Sequence, residues 1–190
     1  MAKQERVGTR SVAKAALVAG GVIVALVSVL FWLGSVAARL LGAPTTLALP
    51  PAVRLLGWIA LAAGAALGLW LFRYRSPATM IVSTYVTFVK MLSRAQIASL
   101  EGRTEPLIVN GPQKYVRHPL YLAATLIFLG CALVTNSTSS LFGVGCVVLW
   151  FVLVQIPFEE TELRAIFGDP YVRYCREVPM LIPFMKRPRT

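Results

Sequence analysis

The chain has 190 residues, of which 57% are apolar and 14% charged, and its 19 Lys and Arg against 8 Asp and Glu give a formal net charge of +11. Intrinsic disorder requires low hydrophobicity, so this composition excludes it. A soluble domain carries about 25% charged residues. A nucleic-acid-binding protein does not separate its basic residues by long uncharged stretches. The composition favours an integral membrane protein and argues against a nucleic-acid partner.

Long uncharged stretches predict membrane spans. The 41 residues between Arg117 and Glu159 carry no Asp, Glu, Lys or Arg, which as helix is about 60 Å at about 1.5 Å per residue. That length is two crossings of about 20 residues each, and the polar run at 135–140 is the place for a turn between them. Two earlier apolar stretches complete the set. We predict four transmembrane helices, at 14–38, 53–73, 119–135 and 140–158.

The distribution of Lys and Arg predicts the orientation of the four spans. Arg39 and Arg54 lie between the first two spans and none lies between the last two, whereas the other 17 of the 19 lie in the remaining segments. Basic residues concentrate in cytoplasmic segments. We therefore predict a multi-pass protein with both termini in the cytoplasm.

The segment 78–100 predicts an amphipathic helix at the membrane surface. Its polar and apolar positions form two stripes at helical spacing, Ser83, Thr87, Lys90 and Arg94 on one side and Ile81, Tyr85, Phe88 and Leu92 on the other. Two roles remain open, an anchor or a lid at a substrate entrance. A spanning helix here would invert everything after it and oppose the Lys and Arg distribution.

These features predict an all-α integral membrane protein with a single membrane domain, 1–190. Its parts are two N-terminal spans (14–73), an amphipathic cytoplasmic connector (74–105), a region with the polar clusters and short cytoplasmic C-terminal helices (106–186) and a basic tail (187–190). Three cysteines and one histidine provide neither a disulfide framework nor a metal cluster, so we expect no metal.

Two polar clusters flank the predicted hairpin of spans three and four. The segment 111–121 enters span three and contains Arg117 and His118, and the segment 158–163 leaves span four and contains Glu159 and Glu160. Antiparallel neighbours joined by a short turn place these ends side by side. We therefore expect an Arg-His pair to face a Glu-Glu pair at the cytoplasmic membrane face.

Both clusters carry a family resemblance. Arg117-His118-Pro119-Leu120-Tyr121 resembles the Arg-His-Pro-x-Tyr motif of the isoprenylcysteine carboxyl methyltransferase and phospholipid methyltransferase superfamily. The C-terminal signature of that family is matched by Glu159-Glu160, Leu163, Phe167-Gly168-Asp169, Tyr171, Tyr174, Val178-Pro179 and Ile182-Pro183-Phe184. The resemblance covers about residues 106–186.

The resemblance implies methyl transfer from S-adenosylmethionine to a lipophilic or lipidated acceptor that enters from the bilayer, most similar to O-methylation of an isoprenylcysteine carboxylate. It implies cofactor-binding roles for Leu107, Ile108, Gly111, His118, Pro119, Tyr121 and Glu159. It also implies catalytic roles for Arg117, Glu159 and Glu160, and acceptor binding by Arg173 and Arg176.

Two positions depart from the family pattern, Gln113 where a tyrosine is usual and Glu177 where many carboxyl methyltransferases have a basic residue. Three alternatives remain open at this point. One is N-methylation of a phospholipid headgroup. Another is an NADPH-dependent reductase resembling the sterol reductases, although those proteins usually have Asn at the position of Leu120. The last is a non-enzymatic four-span protein.

Overall fold

The computed structural model describes residues 9–93, 107 and 109–183. Within these residues the protein is helical and contains no β-strand, in agreement with the predicted all-α class. The helices are α1 (Thr9–Leu40), α2 (Pro51–Phe72), α3 (Pro77–Ser93), a 3₁₀ turn (Gly111–Lys114), α4 (Pro119–Val134), α5 (Thr138–Trp150), a π-helical turn (Phe151–Gln155), α6 (Ile156–Phe167) and α7 (Asp169–Glu177).

Three helical segments are long and apolar enough to cross a membrane, Leu17–Leu40, Pro51–Phe72 and the continuous helix Thr138–Phe167. They are consistent with an integral membrane protein. The remaining predicted span, the third at 119–135, corresponds to α4, which is apolar but has 16 residues and measures about 24 Å at about 1.5 Å per residue. The count of four crossings and the side of the termini remain predictions.

The last predicted span continues well beyond its expected end at residue 158. The helix runs through the π-helical turn and Pro157 to Phe167, where Gly168 ends it with a φ of +58°. In the wide turn, the Ile156 N–H donates to Phe151 O, five residues earlier. Proline has no N–H and its ring crowds the carbonyl four residues earlier, which a wide turn relieves. Both glutamates of the pair therefore lie inside a helix.

The two short connections meet at one end of the helices. Thr46 and Ser137 form an isolated antiparallel β-bridge, and the Leu47 N–H donates to Asn136 O at 2.9 Å. These contacts join the α1–α2 connection to the α4–α5 turn. The arrangement agrees with the predicted topology, which places both connections on the same side of the membrane.

Small residues allow the long helices to approach closely. A Cβ atom on Gly64 of α2 would lie 2.8 Å from Ala123 O of α4, and one on Gly130 of α4 would lie 2.7 Å from Gly57 O of α2. Gly143 of α5 makes a similar approach to α1. Because lipid provides no hydrophobic force between helices, close backbone packing of this kind stabilises helix pairs in membranes.

Most of the segment 78–100, predicted as an amphipathic helix, is observed as the helix α3, and residues 94–100, with Arg94, lie outside the described residues. It packs along α1 and touches α6. The described part of its polar stripe faces the protein, because Thr87 and Lys90 are buried. Its location at the membrane surface remains a prediction.

Two glycines one turn apart in α2 test the packing of α2 on α4. We expect Gly64→Ala to lower the thermal unfolding temperature in detergent, because its methyl group meets the backbone of α4. Gly68→Ala is the matched control, since nothing lies within 4 Å of its Cβ position, and alanine favours a helix by up to about 1 kcal/mol over glycine. Equal unfolding temperatures for the two variants would contradict the close α2–α4 contact.

Candidate functional site

Arg117 joins three segments at the start of α4. Its backbone N–H donates to Pro179 O at 2.9 Å. Its Nη1 donates to Cys175 O at 2.7 Å and to Val178 O at 2.8 Å. These two carbonyls lie at the C-terminal end of α7, where the helix leaves its last carbonyls without partners of its own. The guanidinium therefore caps the C-terminal end of α7 and fixes α7 against the start of α4.

Glu160 balances the charge of Arg117. Its Oε1 lies 2.9 Å from Nε and 2.7 Å from Nη2 of Arg117, and 3.3 Å from Nε2 of His118. Its Oε2 accepts from Arg164 Nη2 at 3.0 Å. Because both oxygens are engaged and the residue is buried, the carboxylate acts as a fixed partner of Arg117.

Glu159 has different surroundings. Its Oε2 accepts from the Tyr121 hydroxyl at 3.0 Å and lies 3.7 Å from His118 Nδ1. Its side chain is 18% exposed and lines a cleft. Adjacent helical residues are about 100° apart around the axis, which explains why the two carboxylates face different partners. The expected meeting of the Arg-His and Glu-Glu pairs is confirmed.

The cleft encloses a volume of about 60 Å³ and lies at the end of the bundle opposite the β-bridge. Small-molecule sites commonly measure about 300–1,000 Å³, so the enclosed part of the cleft is smaller than a nucleotide-sized ligand requires, and such a ligand would extend into the open part of the cleft. Residues of α2, α3, α4, α6 and the adjoining turns line it, namely Leu71, Arg75, Met80, Ser83, Thr84, Gln113, Arg117, His118, Pro119, Leu120, Tyr121 and Glu159.

Hydrogen-bond acceptors line part of the cleft. Gln113 is 8% exposed, and its Oε1 is buried without a hydrogen-bond partner. The Tyr174 hydroxyl fixes this residue by donating to Gln113 O at 2.8 Å. The Thr84 hydroxyl donates to Met80 O at 2.9 Å, so its remaining lone pairs can only accept. Together with Glu159, these atoms favour a ligand that donates hydrogen bonds or carries positive charge.

Two tyrosines support the site from behind. Tyr171 and Tyr174 are buried in one cluster with Leu163 and Val178. Burial raises the pKa of Tyr174, and it raises the pKa of Tyr171 further because the negative charge of Glu160 is close. Both phenols therefore remain protonated at physiological pH, and packing α7 against α6 is the role that their surroundings support.

The structure brings together most of the residues expected at the site. Arg117, His118, Pro119, Tyr121 and Glu159 all line the cleft. Glu160 lies behind them as the partner of Arg117. Among the residues that the structure describes, no group of three or more His, Cys, Asp or Glu could hold a metal ion.

Four expected residues lie outside the cleft lining, and a fifth lies outside the described residues. Leu107 packs against the tyrosine cluster and does not line the cleft. Ile108 lies outside the described residues. Gly111 opens the 3₁₀ turn with a φ of +59°, and the Tyr74 ring occupies the space that its Cβ would fill. Arg173 and Arg176 are exposed on α7, away from the cleft lining.

The sequence pattern did not indicate that Arg75, Ser83 or Thr84 belong to the site, and it indicated Gln113 only as a departure from the family pattern. The sequence did contain a signal for the polar face of α3, because Ser83 belongs to the polar stripe of the amphipathic segment. A polar stripe indicates a shared face and does not identify what covers that face.

Comparison with known proteins gives one family match and several relatives. The family model described as phospholipid methyltransferase matches residues 54–170. A methanethiol S-methyltransferase of Mycobacterium tuberculosis is 32% identical over 63% of this chain and 50% of its own length. A second, of Crocosphaera subtropica, is 42% identical over 38% of this chain and 27% of its own.

A protein-S-isoprenylcysteine O-methyltransferase of Schizosaccharomyces pombe is 36% identical over 47% of this chain and 38% of its own length. The matched segments thus cover half or less of each of these relatives. No solved structure matches the chain significantly.

Two arginines that share Glu160 test which ion pair stabilises the fold. We expect Arg117→Ala to lower the free energy of unfolding by about 3–5 kcal/mol, because it leaves a buried carboxylate without its main partner. Arg164→Ala is the control. Its side chain is 49% exposed, so its pair is worth at most about 1 kcal/mol. Denaturant unfolding in detergent measures both, and equal losses would contradict this assignment.

Proposed function

The chain belongs to the phospholipid methyltransferase family, and we infer from this that it is a membrane enzyme that methylates a lipophilic acceptor using S-adenosylmethionine. The relatives named as methanethiol and isoprenylcysteine methyltransferases support this proposal. We propose that the cofactor binds in the cleft beside Glu159.

The observation that carries the proposal is the charge pattern of the cleft. Glu159 and the unpartnered Oε1 of Gln113 provide acceptors, and Arg75 contributes a cation from the α2 side. S-adenosylmethionine carries a sulfonium, an ammonium and a carboxylate. The residues present fit such a ligand, with Glu159 and Gln113 for its positive and donor groups and Arg75 for its carboxylate.

The bound cofactor supplies an electrophilic methyl group on a positively charged sulfur. The chain's own residues then provide position and a dry environment, which are the main contributions that a protein makes to such a transfer. The Tyr121 hydroxyl holds the carboxylate of Glu159. The Arg117–Glu160 pair fixes the turn from which His118 enters the cleft.

The acceptor determines whether a base is needed. An isoprenylcysteine carboxylate is already ionised near neutral pH and needs none. A thiol or an ammonium group must lose a proton, and His118 and Glu159 are the cleft residues suited to accept it. Since Arg173 and Arg176 are exposed away from the cleft lining, the structure provides no support for their role in binding an acceptor carboxylate.

The names of the relatives favour a small thiol as a second candidate acceptor. Transfer of a radiolabelled methyl group distinguishes the two candidates. The membrane-reconstituted protein is supplied with labelled S-adenosylmethionine and either an acetylated farnesylcysteine or an alkanethiol. Label in a base-labile ester supports the carboxylate acceptor, whereas label in a stable thioether supports the thiol.

Calorimetric titration of the detergent-purified protein tests the cofactor directly. We expect S-adenosylhomocysteine to bind and NADPH not to bind. Binding of NADPH alone would support the reductase alternative. Binding of neither would support a non-enzymatic role.

Glu159 provides a sharp test of the site. We expect Glu159→Gln to weaken S-adenosylhomocysteine binding at least tenfold, or about 1.4 kcal/mol, because the amide keeps the acceptor for Tyr121 and removes the negative charge. Glu177→Gln makes the same change on an exposed carboxylate and should bind normally. Equal affinities for the two variants would place the cofactor elsewhere.

Gln113 tests the acceptor wall of the cleft. Gln113→Leu keeps a similar shape and removes the unpartnered oxygen. We expect it to weaken S-adenosylhomocysteine binding by about threefold to tenfold, the value of a typical hydrogen bond. Unfolding should occur at an unchanged or higher temperature, because a buried amide is replaced by an apolar group. Unchanged affinity in a folded variant would remove Gln113 from the site.

A further inference from the structure

The polar face of α3 carries a second buried cluster, outside the cleft. We propose that Lys90 and Glu162 are positioning residues, whose buried ion pair holds α3 against α6 and so places Ser83 and Thr84 in the cleft wall. This inference rests on the proposed function for the identity of the ligand. We call the cluster of Lys90, Glu162 and Thr87 the α3–α6 latch.

The latch engages both oxygens of one carboxylate. Lys90 Nζ donates to Glu162 Oε1 at 2.8 Å, and the Thr87 hydroxyl donates to Glu162 Oε2 at 3.1 Å. The side chains of Lys90 and Glu162 are 9% and 1% exposed. The helix segments that provide these residues are 72 positions apart in sequence, so this pair is a tertiary contact.

Helical spacing links the latch to the cleft. On α3, Met80 and Thr84 line the cleft and Thr87 follows one turn later. On α6, Glu159 lines the cleft and Glu162 follows at i+3. Residues three or four apart share one helix face. The latch therefore lies about one turn, or about 5.4 Å, beyond the cleft along both helices.

Energetics favour a positioning role over a purely stabilising one. Two buried charges lose hydration that their attraction only partly restores, so a buried pair adds little net stability. Removal of one charge leaves the other buried without its partner, which disfavours the latched arrangement strongly. A pair of this kind specifies the register of two packed helices, and here it specifies which α3 residues face α6.

The register matters for the ligand because α3 provides polar atoms to the cleft. Ser83 and Thr84 both line it, and the Thr84 oxygen is restricted to accepting hydrogen bonds by its own bond to Met80 O. A shift of α3 by one residue would turn these groups by about 100°. Without the latch, the cleft keeps Glu159 and loses its α3 wall.

Variants of the latch distinguish a role in positioning α3 from a direct requirement for the two charges. We expect Glu162→Gln to weaken S-adenosylhomocysteine binding at least tenfold in calorimetric titration. The paired variant Lys90→Met with Glu162→Leu removes both charges and retains packing between the helices, and it should recover affinity to within about threefold of wild type, since apolar pairs replace buried ion pairs well. Glu177→Gln is the control for loss of one exposed carboxylate.

Hydrogen exchange gives a readout that does not depend on the cofactor. In Glu162→Gln we expect faster amide exchange in 77–93 and unchanged exchange in 119–134, because only α3 loses its attachment. Thr87→Val is the milder variant, for use if the charge variant does not fold. It should weaken binding about threefold and accelerate exchange in the same segment.

Four outcomes decide between the explanations. Wild-type affinity together with unchanged exchange in the single variants overturns the latch. A folded paired variant that binds as weakly as Glu162→Gln also overturns it, because the charges themselves would then be required. If the wild-type protein does not bind S-adenosylhomocysteine, the proposed function fails, and exchange in 77–93 still decides the latch. Faster exchange with weaker binding and recovery in the paired variant supports it.

Discussion

The site depends on one buried ion pair, Arg117 with Glu160. Arg117 lies two residues before α4, Glu160 lies in α6, and the same guanidinium binds the carbonyls of Cys175 and Val178 at the end of α7. One side chain thus joins three segments that are far apart in sequence. A charge in such a place needs full compensation, and every nitrogen of the Arg117 side chain has a partner.

This arrangement gives two adjacent glutamates different surroundings. Glu160 is engaged by Arg117, Arg164 and His118, whereas Glu159, the adjacent residue, faces the cleft. Glu162, one turn along, faces α3. Three acids within four positions therefore contact three different parts of the protein. The paired glutamates that suggested a site contribute to it unequally, one by contact and one by support.

The sequence was sufficient for the parts of the site that chain direction determines. An uncharged stretch with one polar turn predicts a helical hairpin. The two ends of such a hairpin lie close together, which brings Arg117 near Glu160. The sequence could not predict two other features of the site. Which glutamate faces the cleft depends on rotation through the π-helical turn, and no residue pattern predicted that turn. The polar stripe of α3 defined a face, but only the tertiary contact of Lys90 with Glu162 shows what covers it.

The π-helical turn also changes the angular positions around the helix axis of the residues that follow it. Gly143 faces α1 and Glu162 faces α3, and they are 19 residues apart. At about 100° per residue, an uninterrupted α-helix would separate them by about 100° around its axis. The turn absorbs one residue, which returns both to the same side, where α1 and α3 pack together. The turn Phe151–Gln155 thus rotates the half of the helix that carries the acids relative to the half that packs in the bundle, so that both halves present these residues on one side.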